Sequence, residues 1–166
     1  MREHVLVKAK KLYPEEMKAV MDRFELIRAR TSLEFAQQEV KAVTEFSADK
    51  RELMLQHVKT AQEAREKEIE EFMEFILRCN EPTVLAQGGF EMLKEIANTT
   101  FRGRTGEVQA FLNDKEMISL SVPRGSLNEN DRKEIESHVS HTYKFLATIP
   151  WTPDLRNVPD IAYAHH

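Results

Sequence analysis

The sequence is poor in residues that interrupt or crosslink a chain. Its 166 residues include 5 glycines, 6 prolines and 1 cysteine. The single cysteine, Cys79, excludes an intramolecular disulfide and is typical of proteins from a reducing compartment. Neither proline nor glycine occurs between residues 15 and 80. This absence favours long helices and argues against a sandwich of short strands joined by turns.

Long apolar runs and a positive net charge are also lacking. No run approaches the roughly 20 apolar residues that a membrane-spanning helix needs, and the first residues, Met1-Arg2-Glu3-His4, do not resemble a signal peptide. The formal net charge is −4 and the isoelectric point is near 5.9, which gives no electrostatic reason to expect a nucleic-acid polymer as partner. We therefore expect a cytoplasmic protein with neither a membrane nor a nucleic-acid partner.

The feature that the sequence does have is helical periodicity. Pro14 followed by two glutamates predicts the start of a helix. Apolar residues then recur at helical spacing over 17–27 and, after the candidate N-cap Ser47, over 54–76. We predict two helices, 14–46 and 48–79, folded into an antiparallel hairpin because neither apolar stripe can remain in water. One continuous helix is the alternative.

The remainder of the chain has a different composition. Helices are predicted at about 90–99, after a cap at 113–116, and at 128–149, where Asn128 opens the helix and Asp131 is placed to support the cap. A glycine-containing loop or small hairpin is predicted at 100–112. The expected fold class is an all-α helical bundle with a long antiparallel hairpin and a short irregular glycine-containing region. Two domains are expected, 1–80 and 81–166. The basic residues at 8–11 are predicted to form a solvated turn of helix.

Three histidines are candidate metal ligands. His138 lies at the edge of the apolar face of helix 128–149, and His165 and His166 follow at the end of the sequence. Neighbouring residues on a helix differ by about 100°, so the pair could serve different ions of a two-metal site. The spacing alone favours the ordinary interpretation, a boundary histidine followed by a frayed end or the remnant of a tag. His141, one turn from His138, is expected at the surface or in a supporting role.

Five segments near the end of the sequence form an ordered set: 124–127 (RGSL), 131–138 (DRKEIESH), 142–146 (TYKFL), 149–152 (IPWT) and 158–166 (VPDIAYAHH). Together they resemble the HD-GYP family of metal-dependent phosphohydrolases. In that family a Gly-x-Leu turn and an acidic cap precede a helix that carries a ligand histidine, and a His-His pair follows about 27 residues later. Here His138 precedes His165 by 27 positions.

The resemblance implies a chemistry and a ligand set. It implies His138, His165 and His166 as ligands of a divalent metal, Fe or Mn, in a site of two or three ions that hydrolyses cyclic di-GMP or a related phosphodiester. The match is most specific over 124–166. Residues 5–12 resemble the segment that follows the family's His-Asp motif, and the long helices resemble an insertion found in some members.

The sequence also departs from that family. It contains neither a His-Asp pair nor a Gly-Tyr-Pro triplet, so we expect an interior part of such a domain, with little or no activity as an isolated chain. The alternative hypothesis is a non-catalytic helical interaction protein, whose long hairpin mediates self-association into a homo-oligomer.

Overall fold

The computed structural model describes residues 8–164. Two long helices come first, followed by a smaller helical region that contains one short β-hairpin. The elements in chain order are α1 (Pro14–Glu45), α2 (Ala48–Cys79), α3 (Gly89–Asn98), β1 (Thr100–Arg102), β2 (Val108–Ala110), α4 (Asp114–Leu120), α5 (Glu129–Ala147), a 3-10 turn (Pro153–Leu155) and α6 (Val158–Ala164). The predicted mostly helical class is confirmed.

The predicted hairpin of α1 and α2 is confirmed as well. Each helix has 32 residues, and the two pack along each other. Phe46 and Ser47 between them are both extended, so the alternative of one continuous helix is wrong. The backbone carbonyl of Ser47 accepts hydrogen bonds from the amides of Lys50 and Arg51, at 3.0 and 2.9 Å. These bonds begin the first turn of α2 and fix the reversal of the chain.

The core is centred on Phe111, which follows β2 and is fully buried. Its ring makes edge-to-face contacts with Phe24 of α1, Phe72 of α2 and Phe101 of β1, at centroid distances of 5.6, 6.2 and 5.9 Å. Such pairs add to the free energy gained by burying the rings. The buried cluster contains residues from both 1–80 and 81–166. The division into two domains at residue 80 stays a prediction.

A buried ion pair ties α4 to α1 beside this core. Arg23 donates to both carboxylate oxygens of Glu116, at 2.7 and 2.9 Å, and also to the carbonyl of Phe111 at 3.0 Å. The Glu116 carboxylate additionally accepts from the amide of Asn113 at 2.8 Å, which completes a capping box at the start of α4. One carboxylate therefore both caps α4 and holds it against α1.

The basic segment before α1 differs from its prediction. It is not helical, and Lys11 is 1% exposed. The Lys11 backbone amide donates to the carbonyl of Asn80 at 3.0 Å, and its ammonium donates to the carbonyl of Leu120 at 3.3 Å. Burial lowers the pKa of this ammonium, an effect that the nearby Cys79 thiol partly opposes. The predicted solvated helical turn is wrong because the backbone ends of α2 and α4 provide acceptors in the interior.

Within residues 8–164, none of the helices is both long enough and apolar enough to cross a bilayer.

We predict that Glu116→Ala lowers the free energy of unfolding by about 2–4 kcal/mol, since it removes a cap and leaves Arg23 without its carboxylate. Glu116→Gln should lose less, because glutamine can still complete the capping box. Urea denaturation provides the measurement. The control is Lys18→Ala in the exposed Lys18–Asp22 pair, expected to change stability by less than about 0.5 kcal/mol. Equal losses in Glu116→Ala and Lys18→Ala would contradict a structural role for the buried pair.

Candidate metal-binding histidines and the polar cluster at the start of α5

The helix that carries His138 begins at a well-defined cap. The Asn128 side chain accepts from the amide of Asp131 at 2.9 Å, and the Asp131 carboxylate accepts from the amide of Asn128 at 2.9 Å. Gly125, with φ of +85°, makes the turn that delivers the chain to this cap, a conformation that favours glycine. Residues 125–131 thus fix where α5 starts.

Asp131 is also the centre of a buried polar cluster with Lys8 and Tyr13. The Lys8 ammonium lies 2.7 Å from Asp131 Oδ2, and the two side chains are only 2% and 9% exposed. The Tyr13 hydroxyl donates to Asp131 Oδ1 at 3.4 Å, and the Lys8 ammonium lies 4.5 Å from the centroid of the Tyr13 ring. Ser126 Oγ donates to the Lys8 carbonyl at 2.8 Å. The cluster therefore joins the segment before α1 to the start of α5.

A polar cavity of about 220 Å³ borders this cluster and is lined in addition by Glu16, Lys115 and Glu134. Burial, together with the charge and the hydrogen bond of Asp131, raises the pKa of Tyr13 to about 12. Tyr13 therefore stays protonated at neutral pH and acts as a hydrogen-bond donor. Three carboxylates (Glu16, Asp131 and Glu134) and two ammonium groups (Lys8 and Lys115) line this cavity, so the carboxylates are in slight excess.

His138 lies two helical turns after Asp131, on the same face of α5. Its side chain is exposed, as is that of His141 one turn later. Ser137 Oγ lies 3.5 Å from Nδ1 of His141. His57 is exposed on α2, far along the chain from α5.

The other two predicted ligands, His165 and His166, lie outside the described residues, so the structure does not test the set of three. Helix α6 ends at Ala164 and packs mainly on α5. The rings of Tyr143 on α5 and Tyr163 on α6 are in edge-to-face contact, with centroids 5.3 Å apart. From Lys8 to Ala164, no group of three or more histidine, cysteine or carboxylate side chains is placed to hold a metal ion.

The described part of the candidate site thus contains one exposed imidazole and a buried cluster that orients its helix. A neutral imidazole suits Fe, Mn, Zn or Ni, and its exposure on α5 leaves it accessible to an ion. One ligand alone does not bind these metals tightly, so a functional centre requires donors beyond residues 8–164. His138 therefore offers a suitable type of metal ligand, and the geometry of a complete site stays a prediction.

Sequence reasoning missed the roles of Lys8 and Tyr13. It identified Asp131 only as a capping residue, because the capping box is a local pattern four residues long. The contact between Lys8 and Asp131 joins residues 123 positions apart, and no spacing rule connects them. The one sequence signal for these contacts was the position of Asp131 at N3 of α5, where a carboxylate that caps the helix can also accept hydrogen bonds from other donors.

Comparison with known proteins yields no relative: no protein-family model, no curated protein and no solved structure matches the chain. The resemblance to HD-GYP phosphohydrolases therefore rests on the quoted segments alone.

We predict that Tyr13 ionises well above the ordinary tyrosine pKa of 10.0. In a spectrophotometric titration of phenolate absorbance, Tyr13→Phe should remove an ionisation step near pH 12. Asp131→Asn should shift this step to lower pH, since it removes the charge that opposes ionisation. Tyr163→Phe is the matched control and should leave the step in place.

The raised pKa of Tyr13 also determines how its contribution to folding stability depends on pH. The folded-state pKa lies above the ordinary value of 10.0, so an unfolded chain loses this proton first. The contribution of Tyr13 to stability is complete below pH 10 and is lost as the pH rises towards 12. In the titration, an ionisation step near pH 12 that persists unchanged in Tyr13→Phe would refute its assignment to Tyr13.

Proposed function

We propose that this chain supplies His138, His165 and His166 to the metal centre of an HD-GYP-type phosphohydrolase, which hydrolyses cyclic di-GMP or a related phosphodiester. The observation that carries the proposal is the ordered set of segments over 124–166, in which a turn, an acidic cap, a histidine and a His-His pair follow one another. The interval of 27 positions between His138 and His165 matches the interval in that family.

The described structure supports two steps of this proposal. The segment 124–131 forms the turn and acidic cap that the resemblance implies, and His138 follows on the helix that it starts. The contact of Tyr143 with Tyr163 joins α5 to α6. Tyr143 comes five residues after His138, and Tyr163 comes two residues before His165. These contacts favour a site shared between the two helices.

Divalent ions in such a centre supply Lewis-acid activation of the phosphodiester and of the attacking water. The residues of this chain would bind the ions, and their surroundings would orient the histidine ligands. A histidine ligand must present a neutral imidazole in a fixed direction, and the direction of His138 depends on how α5 is anchored. Lys8 and Tyr13 contribute to that anchor through Asp131, as positioning residues rather than ligands.

The proposed ligand set is incomplete in this sequence. With neither a His-Asp pair nor a Gly-Tyr-Pro triplet, the chain lacks the bridging aspartate that organises the metals in the family. Three imidazoles without that carboxylate bind transition metals at reduced affinity, because the site is less preorganised. We therefore expect the isolated chain to bind Mn²⁺ or Fe²⁺ weakly and to hydrolyse cyclic di-GMP little or not at all.

We predict that His138→Ala weakens metal binding by roughly tenfold or more, the effect of losing one of three donors. The measurement is titration of the purified chain with Mn²⁺ or anaerobic Fe²⁺, followed by metal analysis. His141→Ala is the matched control, because it removes an exposed histidine one turn away on the same helix and should leave affinity unchanged.

One result would contradict the ligand assignment, and another would contradict the expected inactivity. Equal affinities of the unaltered chain and the His138→Ala variant would exclude His138 as a ligand. Vigorous metal-dependent hydrolysis of cyclic di-GMP by the isolated chain, lost in His138→Ala, would show that the expected inactivity is wrong while keeping the metal assignment.

A second candidate function is that of a helical oligomerisation protein. The observation that favours it is a row of exposed apolar side chains on the long hairpin, among them Leu33, Val40 and Val43 at 47%, 63% and 46% exposure. Exposed apolar rows of this kind often mark interaction surfaces. This function requires no metal and no ligand histidine.

A further inference from the structure

Helix α1 carries two apolar faces rather than one. The first face packs on α2 and the core through buried residues such as Val20, Phe24 and Ile27. The second face lies about 200° around the helix from the first, since its residues are offset by two positions along the chain. We call this second face the α1 seam; it consists of Leu26, Ala29, Leu33, Ala36, Val40 and Val43, all exposed.

The spacing of the α1 seam is that of a coiled coil. Leu26, Leu33 and Val40 recur every seven residues, and Ala29, Ala36 and Val43 follow each of them by three. These are the a and d positions of three consecutive heptads. An apolar stripe that only covers a globular core is normally wider and faces inward, whereas this narrow stripe faces away from the core.

The charges beside the α1 seam differ in sign between its two flanks. One flank carries Glu25 and Glu39 at g positions, with Arg28 farther out and 3.7 Å from Glu25. The opposite flank carries Arg30 at an e position and, farther out, Lys41. The guanidinium of Arg30 donates to the carbonyl of Arg104 at 3.0 Å, a bond that uses one of its five donors. Glu34 also lies on the outer part of that flank, near Arg65 and Arg102.

This charge pattern selects an orientation for a second copy. In a parallel pair of helices, the g flank of one chain faces the e flank of the other, so Glu25 lies opposite Arg30 of the second copy. In an antiparallel pair, like flanks meet, and Glu25 and Glu39 lie against an equally acidic surface. The six side chains of the α1 seam are exposed in one copy, and the loop at Arg104 lies beside the Arg30 flank.

We propose that the α1 seam is a self-association surface, through which two copies of this chain form a parallel coiled-coil dimer. This inference rests on the second candidate function and gives it a surface, a partner and an orientation. It is independent of the metal site. Because α2 already holds α1 in helical form, association does not require the chain to order a helix.

The size of the α1 seam sets the expected affinity. Eighteen residues of helix span about 27 Å, and a strip about 10 Å wide is smaller than a standard protein–protein interface. The alanines at two d layers allow close approach but bury little area. We therefore expect a weak dimer, populated at about 100 µM and largely dissociated at about 1 µM.

The first experiment is sedimentation equilibrium of the full chain across that concentration range. Leu33→Glu combined with Val40→Glu should raise the dimer dissociation constant by about tenfold or more, since it places charges in two a layers. Both positions are exposed, so the fold should be retained, which circular dichroism checks. The matched control is Leu53→Glu on α2, at a position that is 70% exposed and outside the α1 seam.

The outcomes distinguish failure of the α1 seam from failure of the second candidate function. A chain that is monomeric at every concentration overturns both the α1 seam and the second candidate function. A dimer that Leu33→Glu with Val40→Glu leaves intact keeps that function and overturns the seam. A dimer that Leu53→Glu disrupts equally also overturns the seam.

The second experiment tests orientation by oxidative crosslinking. A cysteine introduced by Ala29→Cys lies at a d position and meets its own copy only in a parallel dimer, where the geometry suits a disulfide. The native Cys79 is 6% exposed and should not react. Ala64→Cys, exposed on α2, is the control. Efficient crosslinking of Ala29→Cys alone supports the parallel dimer, and its failure in a chain that still dimerises overturns the parallel arrangement.

Discussion

The packing of three phenylalanine rings around Phe111 is the constraint on which the rest of the structure depends. Phe111 reaches α1, α2 and β1 through ring contacts, and its carbonyl accepts from Arg23, the residue that holds Glu116 of α4. One position thus joins the hairpin to β1 and, through Arg23, to α4. Interiors of this kind are close-packed, so a shift of the ring would move several elements together.

This constraint also explains why α1 leaves an apolar face in water. The core uses only the side of α1 that faces α2 and Phe111, and the small region 89–120 packs against that same side. The core cluster takes its α1 members from Val20 to Ile27, so the later half of this 32-residue helix lies outside that cluster. A seam of leucine, valine and alanine on the solvent side is therefore not part of the core, and its regular spacing calls for a separate explanation.

Local patterns account for what could be predicted from the sequence. The hairpin follows from the absence of proline and glycine over 15–80 and from apolar spacing, and the predicted bounds of α2 agree with the observed Ala48–Cys79. The caps at Asn113 and Asn128 follow from the capping-box pattern, in which an acidic residue comes three positions after the cap residue. The burial of Lys11 could not be predicted, because its acceptors at Asn80 and Leu120 belong to distant helix ends. A basic cluster ordinarily favours solvent, and here tertiary hydrogen bonds override that preference.

The difference between local patterns and long-range contacts also matters at the candidate site. His138 was identified from a local motif, but its direction depends on contacts that no motif contains. Helix α5 packs mainly on α6, and its only buried residues are Asp131 and Val139. Its attachment to the rest of the described chain therefore relies on polar contacts of Asp131 and Asn128 rather than on a wide apolar face. Hydrogen bonds and buried ion pairs add little net stability but tolerate few geometries. A helix held in this way has a defined start and direction, which is the property that a ligand-bearing helix requires.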